Sequence, residues 1–235
     1  MGRLSLGLLA CVFACGCGDP ELVAGRWVDL DADGVLRNLA VSSDGRVFVA
    51  SHPGVLRSRN QVSFEAVGER LDVFRVAVDF QDHVYAAVEE FVRSPTPLRI
   101  SGDGGDTWTA AAVPAGIAVQ GIAADPTMPG RVYFYAGGAE DVMGFYRSDN
   151  GGASFTKVST KGGVPAVNGD GTVYLARYDG LWRSDDLGVT FVLHSAEPAG
   201  DNLDPRFLLT DPGDIRHLII GSQDGLYTTI DGGAT

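Results

Sequence analysis

A repeat limits this sequence more than any other feature. A short motif returns about every 40 residues, as Gly54-Val-Leu-Arg-Ser58, Pro97-Leu-Arg-Ile-Ser101, Gly144-Phe-Tyr-Arg-Ser148, Gly180-Leu-Trp-Arg-Ser184 and Gly225-Leu-Tyr-Thr-Thr229. A second element precedes each copy: Gly45-Arg-Val-Phe-Val-Ala50, His83-Val-Tyr-Ala-Ala87, Gly130-Arg-Val-Tyr-Phe-Tyr135, Gly171-Thr-Val-Tyr-Leu-Ala176 and His217-Leu-Ile-Ile-Gly221. Further upstream lies a third apolar stretch, at Leu39–Val41, Val76–Val78, Gly121–Ala123, Pro165–Val167 and Phe207–Leu209. The runs are short, rich in β-branched and aromatic residues, and bounded by Gly, Asp, Asn and Pro, which is how strands and turns read. With 32 Gly and 11 Pro, the chain suits a fold with many turns. Each unit therefore predicts four antiparallel strands. A lone sheet of that size cannot cover its own faces, so the units must pack on one another. The predicted fold is all-β: a β-propeller of about five four-stranded blades, either closed or part of a larger ring.

The last link of each unit has a finer pattern, Ser-x-Asp-x-Gly-x-Thr-aromatic. The copies are Ser101, Asp103, Gly105, Thr107 and Trp108; Ser148, Asn150, Gly152, Ser154 and Phe155; and Ser184, Asp186, Gly188, Thr190 and Phe191. Thr229, Asp231, Gly233 and Thr235 form another, and Ser58, Asn60, Ser63 and Phe64 an irregular one without glycine. The Asp or Asn carboxamide or carboxylate can accept hydrogen bonds from turn amides. The glycine supplies a positive φ, and the aromatic can pack between sheets. This pattern resembles the Asp-box, or BNR repeat, over residues 35–235. The resemblance implies that the box residues are structural and lie away from any ligand site.

The opening MGRLSLGLLACVFACGCGDP has one early charge, Arg3, and an apolar run over Leu4–Ala14. The run is too short to span a bilayer and fits the core of an export signal. All three cysteines, Cys11, Cys15 and Cys17, lie there, so no disulfide is expected in the folded part. Small residues before Cys15 and Cys17 resemble a bacterial lipoprotein signal, which makes these two the lipidation candidates; ordinary secretion and an uncleaved anchor are the alternatives. The sequence divides into a lipoprotein-like signal over 1–17, a linker over 18–34, and a C-terminally truncated propeller over 35–235. Within the linker, Gly25-Arg-Trp27-Val28-Asp29 is a candidate closing strand that would set Trp27 beside Leu226.

The resembled families include sialidases, xyloglucanases, sortilin-like receptors and photosystem assembly factors, and fold does not choose among them. A sialidase needs three converging arginines, and its Arg-Ile-Pro marker has only Arg99-Ile100-Ser101 as counterpart here. Arg99 aligns with Arg57, Arg147 and Arg183 and reads as scaffold. A glycoside hydrolase needs two carboxyl groups across a cleft. Glu89 and Glu90 are adjacent in sequence and would point to opposite faces of a strand. Asp29, Asp31 and Asp33 open like a calcium loop, but Arg37 and Ala40 stand where ligands belong. The histidines His52, His83, His194 and His217 lack metal-ligand spacing, so no metal or cofactor is expected.

Long loops on a rigid scaffold are where binding resides. The hairpins mark one face, so loops between second and third strands mark the other. That face would gather Glu89, Glu90, Arg93, Glu140, Asp141, Tyr178 and Asp179, with His52, Gln223 and Asp224. The net charge of −12 argues against a nucleic-acid partner. The expected function is an exported, non-enzymatic binding or assembly scaffold of the cell envelope. It would be a monomer with a protein or glycan partner, meeting the membrane only through a lipid anchor. The alternative is a sialidase-like or xyloglucanase-like glycoside hydrolase.

Overall fold

The computed structural model describes residues 36–234 apart from 53, 62, 89–96, 197–203 and 212. The expected signal, Cys15, Cys17, the acidic run at Asp29 and the candidate closing strand at Trp27 all lie outside the described residues. Every regular element among the described residues is a β-strand. The first blade comprises β1 (Leu36–Val41), β2 (Val47–Ser51), β3 (Gly54–Ser58) and β4 (Glu65–Val67). The second comprises β5 (Val73–Val78), β6 (Val84–Val88), β7 (Leu98–Ser101) and β8 (Thr109–Ala110). The third comprises β9 (Ile117–Ala124), β10 (Val132–Gly138), β11 (Gly144–Ser148) and β12 (Thr156–Ser159). The fourth comprises β13 (Val164–Val167), β14 (Val173–Arg177), β15 (Gly180–Ser184) and β16 (Val192–Ser195). The fifth comprises β17 (Pro205–Asp211), β18 (Asp214–Ser222) and β19 (Leu226–Thr229).

Each sheet is antiparallel and strictly sequential, the signature of a meander. The first strands pack side by side, β1 on β5, β5 on β9, β9 on β13 and β13 on β17, so the sheets form the five blades of a propeller. Four sheets have four strands; the fifth has three among the described residues. The second strands of the first two blades, Val47–Ser51 and Val84–Val88, are buried throughout, whereas their fourth strands are mostly exposed. Burial follows from position: in the inner blades, second and third strands are covered by a neighbouring blade on each face, whereas β18 and β19 of the fifth are partly exposed.

Four apolar clusters lie one to each junction between consecutive blades. Phe48, Val55, Val73 and Val84 join the first and second, with Trp108 packed against them. Tyr85, Leu98, Val132 and Phe134 join the second and third, with Phe155. Tyr133, Phe145, Leu175 and Phe191 join the third and fourth. Tyr174, Leu181, Leu208 and Leu218 join the fourth and fifth. The expected equivalence of Trp108, Phe155 and Phe191 therefore holds: each sits at the junction with the preceding blade. Phe191 meets Phe145 edge-on at 5.5 Å, and Phe155 tilts onto Phe134 at 4.7 Å. Burying one such ring contributes roughly 1.5–3 kcal/mol.

The hairpins repeat one polar scheme. The Ser101 hydroxyl donates to Asp103 (2.7 Å) and accepts from the Gly105 amide (2.7 Å), while Asp103 accepts from the Thr107 amide (2.9 Å). Ser148 with Asn150 and Ser184 with Asp186 repeat both contacts, and Thr229 with Asp231 does so in the fifth blade. In the first hairpin, which has no glycine, Gln61 takes φ 60°.

The hairpin glycine has a second purpose beyond its positive φ. A Cβ on Gly105 would lie 3.3 Å from Phe48 Cε1, on Gly188 2.9 Å from Phe145 Cε1, and on Gly233 2.5 Å from Leu181 Cδ2. In each case the obstruction belongs to the preceding blade. Each hairpin thus docks flat against its predecessor, and only a residue without a side chain allows that approach.

One alignment changes. Register places Ile100, not Arg99, opposite Tyr85, matching Arg57 opposite Phe48, Arg147 opposite Tyr133 and Arg183 opposite Tyr174. Arg99 is one residue out of step and so faces the other side of its sheet. There it pairs with Glu69 at 3.0 Å. Arg57 and Arg147 instead reach the next hairpin, bonding the carbonyls of Gly104 (2.7 Å) and Leu187 (3.1 Å).

Two predictions follow from the hairpins. Gly151 has φ 67° with open space beyond it, whereas Gly188 has φ 82° and faces buried rings. Gly151→Ala should cost only about 1 kcal/mol in chemical denaturation. Gly188→Ala should cost about 2–4 kcal/mol, and equal losses would contradict the docking. Separately, bonds from the Thr190 hydroxyl, then its amide, then Ser184, hold the Asp186 carboxyl down at about 2. A depressed carboxyl stabilises above its unfolded value and loses that contribution as pH falls through the folded one. Between pH ~4 and ~2 the melting temperature of Asp186→Asn should therefore fall less steeply than that of the parent.

Candidate functional site

Turns within each blade assign the two faces. The hairpins and the links from first to second strands share one face; the links from second to third strands and between blades share the other. The inner strands start on this second, loop face. Four of them have an irregular register in their first half, which skips Arg37 in β1, Phe74 in β5, Gln120 in β9 and Arg206 in β17. Bulges re-aim side chains and recur near functional sites. Here they fall at equivalent places around the mouth of the ring.

Arg75 lies next to one of these bulges. Its guanidinium donates to the carbonyls of Phe74 (3.0 Å) and Arg206 (2.9 Å), the latter reaching across to the fifth blade. Among the described residues it has no carboxylate within ion-pair distance. Burial, then repulsion from Arg206 and Arg37, lowers its pKa below the ordinary arginine value. Arg37 pairs with Asp72 at 3.2 Å, and Arg206 with Asp204 at 2.6 Å. His52 also reaches Asp72, at 3.3 Å. The mouth thus gathers three arginines, two with carboxylate partners and one held by main-chain carbonyls.

The expected site residues are only partly brought together. Glu89, Glu90 and Arg93 lie outside the described residues. Tyr178 and Asp179 form the tip between β14 and β15, with Tyr178 68% exposed. Asp179 accepts from Arg177 Nε and Trp182 Nε1, both at 2.9 Å. Burial pushes its carboxyl up, but the bonds from Arg177 and Trp182 more than reverse this and hold it below the usual range. Lys161 lies 3.7 Å above the Trp182 ring. Glu140 and Asp141 are exposed in the β10–β11 turn, where the Asp141 carbonyl accepts from Lys157 at 3.0 Å. No hydrogen bond or ion pair joins this turn to Asp179 among the described residues. Gln223 accepts from Arg206 at 3.3 Å and so belongs to the mouth; Asp224 stays on its own exposed turn.

The sequence reading did not single out Arg75. The signal was a cation inside the otherwise apolar run Val73-Phe-Arg-Val-Ala-Val78. Its strand lines the ring's interior, a fact that only the blade order supplies. Every described carboxyl with a displaced ionisation, including Asp44, Asp149, Asp211 and Asp214, is displaced downward. Among the described residues no group of three or more His, Cys, Asp or Glu side chains is placed to hold a metal ion.

No family model and no curated protein matches the sequence. Solved structures do resemble the fold. A GH74 xyloglucanase from Xanthomonas campestris matches at 20% identity and TM-score 0.59, over 83% of this chain and 36% of its own. A gluconolactonase from the same organism matches at 15% and 0.62, over 82% and 71%. YCF48 from Cyanidioschyzon merolae matches at 12% and 0.59, over 88% and 71%. The chain thus spans about a third of the xyloglucanase's length. At these identities the likeness is one of fold, and it embraces both hydrolases and a protein not described as an enzyme.

Proposed function

We propose that the chain is an exported, non-enzymatic binding or assembly scaffold of the Asp-box type, which docks a protein or glycan partner on its loop face. The repeated Ser–Asp–Gly scheme of the hairpins supports the Asp-box reading. The lipoprotein-like opening, with Cys15 or Cys17 as the lipidated residue, supports an envelope location. Arg75 carries the functional part of the reading. A half-buried cation with no carboxylate partner among the described residues is costly, and a ligand's acidic group would complete it. The partner would supply one acidic group, a hexuronate carboxylate or an acidic side chain, to the mouth formed by Arg75, Arg37 and Arg206. Arginine suits this because it binds carboxylates through paired, charge-assisted hydrogen bonds. The net charge of −12 repels polyanions at long range, so the arginines select a single acid at contact distance.

The resemblance to a xyloglucanase keeps hydrolysis as the second reading. Both are tested by titrating the protein with acidic oligosaccharides and acidic peptides while following reducing-sugar release. The binding reading expects saturable association, no release, and about tenfold weaker binding for Arg75→Met, with little change in melting temperature. Unaltered affinity in Arg75→Met would remove the mouth from the account. Steady reducing-sugar release would establish the hydrolase instead.

A further inference from the structure

Among the described residues the fifth sheet has three strands, so β19 is its outer strand, where every other blade adds a fourth. The hairpin register shows which groups stand on that edge. The Ser222 amide donates to the Gly225 carbonyl at 2.8 Å, and pairing continues through Ile220 with Tyr227 and Leu218 with Thr229. Bonded pairs alternate along an antiparallel ladder, so Tyr227 and Thr229 turn their main-chain groups to β18, and Leu226 and Thr228 turn theirs outward. In the second blade the counterpart of Leu226 is Leu98, whose carbonyl accepts from the Ala111 amide, just past β8, at 3.0 Å. A row of outward main-chain groups is a template for one more strand.

The other blades fix the register such a strand must take. The residue after each hairpin aromatic stands opposite the fourth residue of the third-strand motif. Glu65 is opposite Arg57, Thr109 opposite Ile100, Thr156 opposite Arg147 and Val192 opposite Arg183. Thr228 holds that place in the fifth blade. The spacing to the next inner strand is informative too. Phe64 lies ten residues before the bulge at Phe74 and fourteen before the end of β5 at Val78. Trp27 lies ten before the bulge at Arg37 and fourteen before the end of β1 at Val41. The same interval to the strand end is sixteen from Trp108, twelve from Phe155 and twenty from Phe191. Trp27 thus stands to the first blade as Phe64 stands to the second.

We propose that the segment beginning at Trp27 docks on β19 as the fourth strand of the fifth blade, with Val28 opposite Thr228. Leu98 and Ala111 form a bonded pair, so alternation makes Ile100 with Thr109 another, and Thr228 with Val28 their equivalent. The Thr228 amide donates to the Val28 carbonyl, and the Val28 amide returns the bond. The Trp27 ring lies toward the fourth blade, because Trp108, Phe155 and Phe191 each lie toward the preceding one, while Leu226 takes the opposite face. The residues after this strand lead into β1, so one segment ties the last blade to the first. A second copy carries the same segment, but the chain's own is tethered beside the edge and has the higher effective concentration.

The test is amide hydrogen exchange on the whole protein, read residue by residue by NMR. The Thr228 amide should be protected as the Tyr227 amide is, and cross-strand Overhauser contacts should join Val28 to Thr228. Val28→Pro removes the returning donor and breaks the strand. Thr228 should then exchange at least about tenfold faster, while Tyr227, bonded to Ile220, stays protected. Val28→Thr keeps the amide and should leave both rates unchanged. Should Val28→Pro fail to fold, the pattern in the parent decides. Free exchange of Thr228 beside a protected Tyr227 in the parent would overturn the proposal, as would protection of Thr228 that survives Val28→Pro. Protection that grows with protein concentration, together with a dimer in sedimentation, would make a second copy the occupant and overturn it equally.

Discussion

The fold rests on a steric fit repeated at each blade junction: a hairpin without a side chain at one position laid against rings of the blade before it. Gly188 against Phe145 and Gly105 against Phe48 are instances of a single contact. Each hairpin must hold its own shape before it can dock. Buried serines Ser101, Ser148 and Ser184 provide this, each donating its hydroxyl to the Asp or Asn side-chain oxygen and accepting from the glycine amide. Local hydrogen bonding and long-range packing therefore depend on the same few residues. The aromatic that closes each hairpin adds bulk to the same junction, so neither feature works alone.

That arrangement divides the molecule by function. The hairpin face is committed to docking, with Arg57 and Arg147 clamping successive blades through main-chain carbonyls. The loop face carries no such duty, and there the inner strands bulge and bring Arg37, Arg75 and Arg206 to one mouth. The fifth blade departs from its predecessors. Leu226 is 64% exposed, while its counterparts Val55, Leu98, Phe145 and Leu181 are 3% exposed or less. Its outward surface is the one blade face on which that position remains uncovered.

Periodicity made the fold legible because packing constraints repeat with the blade. Ser, Gly and the aromatic recur since each junction imposes the same demand. The register of Arg99 was misjudged because a five-residue motif tolerates an apolar residue at its fourth place, as Ile100 shows, and only strand pairing settles which face a residue takes. The loop-face candidates were harder still. Tyr178 and Asp179 share one cluster with Arg177, Trp182 and Lys161, but Glu140 and Asp141 stand apart, since loop length says nothing about convergence. Arg75 escaped notice because its significance comes from three strands far apart in sequence.

Blade-to-blade packing at the hairpins is open to direct measurement by a double-mutant cycle. Phe145 of the third blade and Phe191 of the fourth would each be replaced by Leu, singly and together, and unfolding free energies obtained in urea. Edge-on rings at 5.5 Å should couple by about 0.5–1.5 kcal/mol beyond their separate losses. Strict additivity of the two substitutions would contradict the account, because it would mean that the hairpin aromatic stabilises its own blade and not the junction.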